Sequence, residues 1–389
     1  MSSDKKELKL TFIYVVALLV GTAMGMFIPI ATTHMTTLEL DSLWIGTISS
    51  AFFIALAVGS VYIDRKMRGN DFSVMVVMGL FITAISAIAF PHTTSPILWL
   101  LLMLAMGTGI SFNLVGIQTA MHVFSKEVDR AKVSGLYSLF FALGFAVSSI
   151  TGPKGYVLSP MLPFYIGAAV LIVCCFIVNR KLKGRLIIAR YPKHKTINKV
   201  PVPLYGAFVY GFAETTVIAL FPMFLLMRGV GVAEVGIAVG AFIVGCVIGT
   251  LPITYLADRV GRKKCFVVVI AVSILSLAGV VAIDHYQTML LFSFITGFVV
   301  GPFYPLTLAL TVQDLTQEEL PSGTALFTFT YAAGSAAGPI LSALVIASLG
   351  IQHIFSLTLV FFLSLLLFVG LQLVREKHKK KFDRGNLSG

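Results

Sequence analysis

Residues 10–30 have the sequence LTFIYVVALLVGTAMGMFIPI, a run without a charged side chain. An α-helix rises 1.5 Å per residue, so about 20 apolar residues cross the hydrocarbon core of a bilayer. The run is too long for the apolar region of a signal peptide, and no small-residue cleavage site follows it. We therefore expect residues 10–33 to form a first transmembrane helix that the protein retains.

Apolar stretches of similar length recur along the whole chain. Backbone groups in lipid have no water to bond with, so each stretch is expected to be a helix. A β-barrel would need short strands of alternating polarity, and the chain shows no such alternation. The predicted fold class is an all-α integral membrane protein with twelve transmembrane helices. The predicted spans are residues 10–33, 44–63, 72–90, 96–121, 133–151, 160–179, 203–227, 232–256, 264–283, 286–312, 321–348 and 352–374.

The composition agrees with a protein embedded in a lipid bilayer. Hydrophobic residues make up 57% of the 389 residues and charged residues only 12%, whereas soluble domains carry about 25% charged residues. The mean hydropathy is +0.94. The net charge of +12 would favour nucleic-acid binding in a soluble protein. Here the basic residues lie in short connections between spans, so no nucleic-acid partner is expected.

The positions of the basic residues predict how the protein is oriented. All of the 29 Lys and Arg residues except Lys154 and Arg228 lie at the termini or in the connections after even-numbered spans. Connections rich in Lys and Arg face the cytoplasm. We therefore predict that both termini are cytoplasmic and that the protein lies in the inner or plasma membrane. One missed span would place basic connections on both sides of the membrane, so the observed pattern also supports twelve spans.

The chain divides near its middle, at a long basic connection. We predict an N-terminal six-helix bundle at 1–179 and a cytoplasmic basic linker at 180–202. A C-terminal six-helix bundle at 203–374 and a basic cytoplasmic tail at 375–389 follow. Parallel repeats of six spans allow one half of a transporter to rock against the other around a central site.

Two motifs occur once in each half. The sequence DRKMR at 64–68 returns as DRVGRK at 258–263. In span five, Ser148 precedes Gly152-Pro153 by four residues, and Gly334 precedes Gly338-Pro339 in the same way in span eleven. Small residues four apart let transmembrane helices approach closely. We expect this packing role for Ser148, Gly152, Pro153, Gly334, Gly338 and Pro339.

At these residues the sequence resembles the major facilitator superfamily of transporters. The loop signature of that family has a Gly, four residues later Asp-Arg, and then x-Gly-Arg-Lys. Residues 258–263 match it, with Thr254 in place of the leading Gly, whereas Met67 replaces the inner Gly in the first copy. The resemblance covers nearly the whole chain. It implies two six-helix bundles that expose a central site to each side of the membrane in turn.

The repeated loop also has a physical interpretation. A carboxylate at a helix end can pair with Arg and with the N-terminus of a neighbouring helix. Breaking such a contact when the bundles rock would bias the inward-facing and outward-facing states. Alternatively, these charges only mark the membrane boundary. We expect gating roles for Asp64, Arg65, Arg68, Asp258, Arg259, Arg262 and Lys263.

The motif in span five resembles the signature of the drug:proton antiporters of the same superfamily. Ser148 takes the place of a Gly in that signature. These exporters usually also carry an Arg about four residues before a Gly-x-Gly in span four. Here Met103 occupies the Arg position before Gly107-x-Gly109. The resemblance to the antiporter branch is therefore partial, and transport without proton coupling stays open.

Glu214 is the charged residue that lies deepest inside a predicted span. A carboxylate in the middle of a membrane costs at least about 2.5 kcal/mol, so it needs a cavity, a partner or a proton. A group that binds and releases a proton in each cycle would fit this position. Alternatively, Glu214 is a protonated carboxyl that hydrogen-bonds to a neighbouring helix. We predict that Glu214 couples protons to transport.

Other polar residues near the middle of spans are candidates for a substrate cavity. Each of them could equally form a hydrogen bond between helices. No Lys or Arg lies deep in a span, so strongly anionic substrates are disfavoured. Aromatic and aliphatic surroundings with one acid favour amphipathic, neutral or cationic compounds. The cavity candidates are Asn113, Gln118, Tyr137, Tyr304 and Tyr331.

Together these observations predict a proton-coupled exporter of small amphipathic compounds, similar to the drug:proton antiporters. The partners expected are a small-molecule substrate, protons and the lipid bilayer, and the chain is expected to be monomeric. An importer of a sugar, amino acid or other metabolite is the first alternative, and a lipid flippase or a transporter-derived receptor is the second. No His-Cys cluster or Ser-His-Asp arrangement supports an enzyme, and neither a metal nor a cofactor is expected.

Overall fold

The computed structural model describes residues 3–66, 71–125, 130–183, 199–313, 315–316 and 318–385. Within these residues, twelve segments are helical, long and apolar enough to cross a membrane. The tenth segment consists of two helices. In chain order the helices are Ser3–Thr37, Ser42–Lys66, Phe72–Ala89, Pro96–Phe124, Arg130–Leu158, Leu162–Lys181, Pro201–Met227, Val232–Val260, Arg262–Ala282, Tyr286–Val300 with Phe303–Gln313, Leu320–Leu349 and Ser356–Gly385.

The interruption of span ten follows from its sequence. The first helix ends at Val300 and the second begins at Phe303. Gly301-Pro302 lies between them, and proline lacks the backbone N–H that would continue the helical ladder. Gly301 packs against span eight, where an added methyl group would lie 2.6 Å from the Cα atom of Cys246. The break therefore lies where two spans approach closely.

The two halves pack in the same pattern. In the N-terminal half, span one contacts spans five and six, span two contacts span four, and span three contacts spans four and six. In the C-terminal half, span seven contacts spans eleven and twelve, span eight contacts span ten, and span nine contacts spans ten and twelve. The predicted fold, an all-α membrane protein of two six-helix bundles, is confirmed.

The halves meet closely at one end of the molecule, opposite the basic connections. Span two packs against span eleven, and span five against span eight. A methyl group on Gly46 would lie 2.7 Å from the carbonyl oxygen of Pro339, and the backbone N–H of Ile340 donates to Ser50 Oγ at 2.9 Å. A methyl group on Gly236 would lie 2.6 Å from Pro153 Cγ. Small residues thus let these helices cross with almost no gap.

The predicted linker and tail are only partly described. Residues 184–198 of the linker lie outside the described residues, and the helix of span twelve continues to Gly385, beyond the predicted start of the tail at 375. At the end of the linker, Lys199 Nζ lies 2.6 Å from Glu319 Oε1. This hydrogen bond lowers the pKa of the Glu319 carboxyl below its usual value. The contact fixes the entrance of span seven beside that of span eleven.

Candidate functional site

Glu214 lies in the middle of span seven, the helix Pro201–Met227. The residues before and after it are mostly buried, whereas Glu214 itself retains partial exposure. Glu214 lies 13 residues from each end of this helix, about 20 Å of rise at 1.5 Å per residue. Its neighbours therefore determine how its charge is stabilised.

Two phenols bind the carboxylate of Glu214. Tyr210, one turn earlier on the same helix, donates from Oη to Oε1 at 2.8 Å. Tyr331 of span eleven donates from Oη to Oε2 at 2.7 Å. Hydrogen bonds to an ionised acceptor are short and are worth about 1.5–3 kcal/mol each. Each carboxylate oxygen accepts from one hydroxyl group, an arrangement that suits the ionised form.

Aromatic rings surround these two phenols. The rings of Tyr210 and Tyr331 are stacked, with centroids 5.6 Å apart. Tyr304 of span ten meets both edge-on, with its centroid 5.4 Å from Tyr331 and 6.0 Å from Tyr210. Phe303 stacks on Tyr210, and Phe327 packs edge-on against Tyr304. The result is one carboxylate beside a cluster of aromatic surfaces from spans seven, ten and eleven.

Close packing of spans seven and eleven brings Tyr331 to Glu214. A methyl group on Gly211 would lie 2.8 Å from Ser335 Oγ, and one on Gly338 would lie 2.6 Å from Thr215 Oγ1. Gly334 likewise packs against the backbone of span seven. Thr215 Oγ1 also donates to the carbonyl oxygen of Ser335 at 3.0 Å, which joins the two helices directly. Larger residues along this contact would move the phenol away from the carboxylate.

The predicted cavity residues fall into two groups. Tyr304 and Tyr331 join Glu214 in the cluster just described. Asn113, Gln118 and Tyr137 belong to spans four and five of the other bundle, and no contact in the described part of the chain joins them to Glu214. Asn113 is buried and its Oδ1 has no hydrogen-bond partner among the described residues, whereas Gln118 is exposed and Tyr137 packs partly buried against the core.

The second copy of the loop motif holds three spans together. Asp258 Oδ1 accepts from Arg262 Nε at 2.9 Å. Arg262 Nη1 also donates to the carbonyl oxygen of Ala309, at 3.4 Å, near the end of span ten. The guanidinium group of Arg259 lies 4.4 Å from the centre of the Tyr255 ring. These contacts join spans eight, nine and ten within one bundle, and none of them crosses to the other bundle.

The first copy of the motif is described only in part. Arg68 lies outside the described residues, and the side chains of Asp64 and Arg65 are not described. Lys263, in the second copy, lies in the first turn of span nine and lines a small cavity with Lys199 at the entrance of span seven. The gating roles predicted for these residues stay predictions.

The repeated small-residue motifs contribute to packing within and between the bundles. Ser148 Oγ donates to the carbonyl oxygen of Gly144 at 2.8 Å, within its own helix. Gly152 faces span one, where an added methyl group would lie at ordinary contact distance, 3.5 Å from Met26. Pro153 faces Gly236 of the other half, and Pro339 faces Gly46 in the corresponding contact. Each proline thus lies at a close contact between the halves.

Tyr210 contacts Glu214 but is not among the site residues predicted from the sequence. It precedes Glu214 by four residues, and side chains four apart lie on the same face of a helix. That spacing was available in the sequence, since a hydroxyl donor one turn from a buried acid is a natural hydrogen-bond partner. The contribution of Tyr331 depends on packing between helices, which the spacing within one helix does not fix.

Comparison with known proteins gives a family match along the chain. The sequence model of the Major Facilitator Superfamily matches residues 13–201 and 204–388. The uncharacterized MFS-type transporter YfkF of Bacillus subtilis (strain 168) is 27% identical over 334 residues, which cover 82% of this chain and 84% of the relative. The uncharacterized MFS-type transporter YcaD of Salmonella typhi is 20% identical over 362 residues, which cover 91% and 94% of the two chains.

Solved structures share the fold at low sequence identity. The crystal structure of a mutant of the nucleoside transporter NupG has a TM-score of 0.78 and 15% identity, and the match covers 93% of this chain and 98% of that one. A bacterial homologue of the human lysosomal transporter Spinster, in an inward-facing and occupied conformation, has a TM-score of 0.78 and 14% identity, with 95% and 97% covered. At this identity the likeness concerns the fold alone.

Proposed function

The chain belongs to the Major Facilitator Superfamily and is a secondary transporter rather than an enzyme; from this premise we propose that it is a proton-coupled exporter. Its substrates are small amphipathic compounds, neutral or cationic, which cross by alternating access. Glu214 carries the coupling proton. The protein acts as a monomer in the inner or plasma membrane, with both termini in the cytoplasm. The observation that supports this proposal best is the binding of the Glu214 carboxylate by two phenols.

The proposed coupling step follows from a count of donors and acceptors. Tyr210 and Tyr331 each donate to one oxygen of the ionised carboxylate. A protonated carboxyl carries its own O–H and offers a weaker acceptor to the phenols. Proton binding at Glu214 would therefore loosen the contact with Tyr331, which joins span seven to span eleven. Each cycle of proton binding and release would change how these two helices pack.

Span eleven connects this step to the contact between the bundles. Tyr331 binds Glu214, and Pro339 and Ile340 of the same helix contact span two. Eight residues separate Tyr331 from Pro339, about 12 Å of helix. A shift of span eleven on proton binding would thus reach the contact that holds one end of the transporter closed. Tightly packed helices respond to such shifts by moving between discrete arrangements.

The predicted orientation identifies the conformation. With the basic connections in the cytoplasm, the close contacts at Gly46 and Gly236 lie at the outer end, so the transporter is closed on the outer side. The Asp258–Arg262 pair stays within its own bundle. Release of a proton from Glu214 toward the cytoplasm is consistent with the ionised form that the two phenols favour.

The substrate class follows from the chemistry of the cluster. Aromatic faces next to a carboxylate attract organic cations, through cation–π contacts of about 0.5–2 kcal/mol each. The apolar ring surfaces of Tyr210, Tyr304 and Tyr331 also suit neutral amphipathic compounds. No fixed cation is placed to hold an anionic substrate, since Lys and Arg do not occur deep in the spans.

Import of a metabolite is the second candidate. Met103 occupies the position of the Arg that the antiporter branch usually carries. The three phenols and one acid could also bind the hydroxyl groups of a polar substrate. The direction of transport distinguishes the two candidates. An exporter moves substrate against the direction in which protons enter the cell, and a proton-coupled importer moves it in the same direction as the protons.

The test uses a hydrophobic cation, ethidium, and inverted membrane vesicles. We expect uptake into vesicles that are acidified inside, and loss of that uptake when an uncoupler collapses the pH gradient. Vesicles from cells without the protein provide the control. Proton-driven uptake into intact cells, with none into inverted vesicles, would assign import instead.

A further inference from the structure

A second titratable group lies buried in the N-terminal bundle, away from Glu214. His34 lies near the end of span one and is only 6% exposed. Its Nδ1 lies 2.8 Å from Tyr156 Oη of span five, and its Nε2 has no hydrogen-bond partner among the described residues. Burying a polar atom without a partner is costly. This nitrogen therefore requires an explanation.

The hydrogen bonds around His34 identify its protonation pattern. Thr37 Oγ1 lies 2.9 Å from both the His34 carbonyl oxygen and Tyr156 Oη. All three contacts receive a hydrogen atom if Thr37 donates to the carbonyl, Tyr156 donates to Thr37, and His34 Nδ1–H donates to Tyr156. If Tyr156 instead donates to Nδ1, the imidazole contributes no hydrogen. The hydroxyl hydrogens of Thr37 and Tyr156 are then the only two for the three contacts. The first pattern leaves a free lone pair on Nε2.

Aromatic rings from other elements enclose this imidazole. The ring centroids of Phe90, Trp99 and Phe164 lie 5.9–6.3 Å from that of His34. They come from the ends of spans three, four and six and carry no charge. Tyr156 is the titratable group that contacts His34. The neighbouring His92 bonds instead to Tyr165, with 2.7 Å between Nε2 and Oη.

The corresponding place in the other bundle holds a permanent cation. Arg228 follows His34 in the chain by the same interval that separates Asp258 from Asp64, and it likewise ends the first span of its half. Its guanidinium lies 4.3 Å from the centre of the Phe224 ring, and Nη2 donates to the carbonyl oxygen of Val281 at 2.6 Å. Nη1 also lies 3.6 Å from Asp284 Oδ1, so at this place in the C-terminal bundle a positive charge lies against one aromatic ring with a carboxylate beside it.

We propose that His34 Nε2 is a proton-binding site at the outer end of the N-terminal bundle, separate from Glu214. Proton binding there creates a cation inside a ring of aromatic side chains and adds an N–H that needs an acceptor. The aromatic faces stabilise the charge, but the new N–H requires the rings or the imidazole to rearrange. Occupancy of the site thus controls how the outer ends of spans one, three, four, five and six pack.

Tryptophan fluorescence tests this proposal directly. The chain has two tryptophans, Trp44 and Trp99, and Trp99 lies beside His34 with ring centroids 6.1 Å apart. In a Trp44→Phe background the emission comes from Trp99 alone, and an imidazolium in contact quenches indole emission. We expect a reversible, single-proton quench as the pH of the purified protein is lowered from about 8 to about 5. His34→Gln should abolish it.

Two further variants keep the outcome decisive. Glu214→Gln, in the same background, should leave the quench unchanged, because the two sites lie in different bundles. Tyr156→Phe retains the imidazole but removes its hydrogen-bond partner, so the quench should persist with a displaced midpoint. An unchanged quench in His34→Gln, a flat Trp99 emission over this range, or loss of the quench in Glu214→Gln would each overturn the proposal. If His34→Gln does not fold, the pH midpoint of the quench in Tyr156→Phe tests the proposal instead. A midpoint equal to that of the Trp44→Phe background would contradict the proposal.

Discussion

Replacing Glu214 by Gln removes the charge of the buried acid and leaves its shape almost unchanged. The remaining carbonyl oxygen can accept from one phenol, and the new amide can donate to the oxygen of the other. Two charge-assisted hydrogen bonds thereby become neutral ones, a loss of about 1 kcal/mol each. Removing the charge from the middle of the membrane stabilises the protein by at least about 2.5 kcal/mol. The two effects nearly cancel, so we expect the variant to be about as stable as the wild type.

The effect on transport should be much larger than the effect on stability. One proton that crosses a gradient of one pH unit releases about 1.36 kcal/mol, which corresponds to a tenfold ratio of concentrations. A transporter that exchanges one neutral substrate molecule for one proton can therefore sustain about a tenfold substrate gradient. Glu214→Gln binds no proton at this position, and its gradient should fall to about onefold. Exchange of substrate without a gradient should persist.

The assay is substrate accumulation in proteoliposomes with an imposed gradient of one pH unit, together with counterflow exchange. Glu319→Gln is a matched control, since it makes the same chemical change at a carboxyl outside the spans that pairs with Lys199. We expect this control to retain the full gradient. A stable Glu214→Gln variant that sustains a tenfold gradient would remove Glu214 from the coupling mechanism.

Three further tests by substitution concern gating and topology. Asp258→Asn removes the charge of an exposed carboxylate that pairs with Arg262, a contact worth at most about 1 kcal/mol. Thermal stability should therefore hold while turnover falls, and unchanged turnover would leave Asp258 a boundary marker. Gly46→Leu should destabilise the outer closed contact by about 1–3 kcal/mol, which shifts the population about 5–150-fold toward the outward-open state. Labelling of cysteines in the cavity by a thiol reagent added outside should then rise. The control Gly135→Leu should not raise this labelling, because Gly135 has open space around it. A cysteine at Thr94 should react with an impermeant thiol reagent outside intact cells and one at Lys264 should not; the reverse would invert the orientation.

The spans could be predicted from the sequence because the membrane allows few solutions. Apolar runs of sufficient length must be helices, and proline and glycine mark where such a helix breaks, as Gly301-Pro302 does in span ten. The helix of span twelve continues beyond its predicted end, because hydropathy marks the edge of the bilayer and not the end of a helix. Helix ends are therefore the part of the fold that the sequence constrains least.

The site could be predicted only in part. The burial of Glu214 followed from its place in an apolar run, since a charge there stands out against its neighbours. Its partner Tyr331 depends on the register between spans seven and eleven, which arises from the close approach at Gly211 and Gly334. Polarity alone grouped Tyr137 with Tyr331, although the described contacts bring only Tyr331 to the acid. Hydrogen-bond partners between helices require the packed structure.

The internal repeat explains why Tyr137 and Tyr331 differ although their positions correspond. Tyr331 follows Tyr137 by the same interval as Asp258 follows Asp64, and spans five and eleven pack in the same way against spans one and seven. By the same interval, the position in span one that corresponds to Glu214 is Val20, which is 1% exposed. A tyrosine in span five therefore faces no carboxylate at that position, whereas its counterpart in span eleven binds one. Both bundles retain the packing of these spans, and at this pair of positions only the C-terminal bundle carries an acid. In the proposed mechanism, a proton bound at Glu214 therefore acts on the C-terminal bundle alone and changes how it packs against the N-terminal bundle.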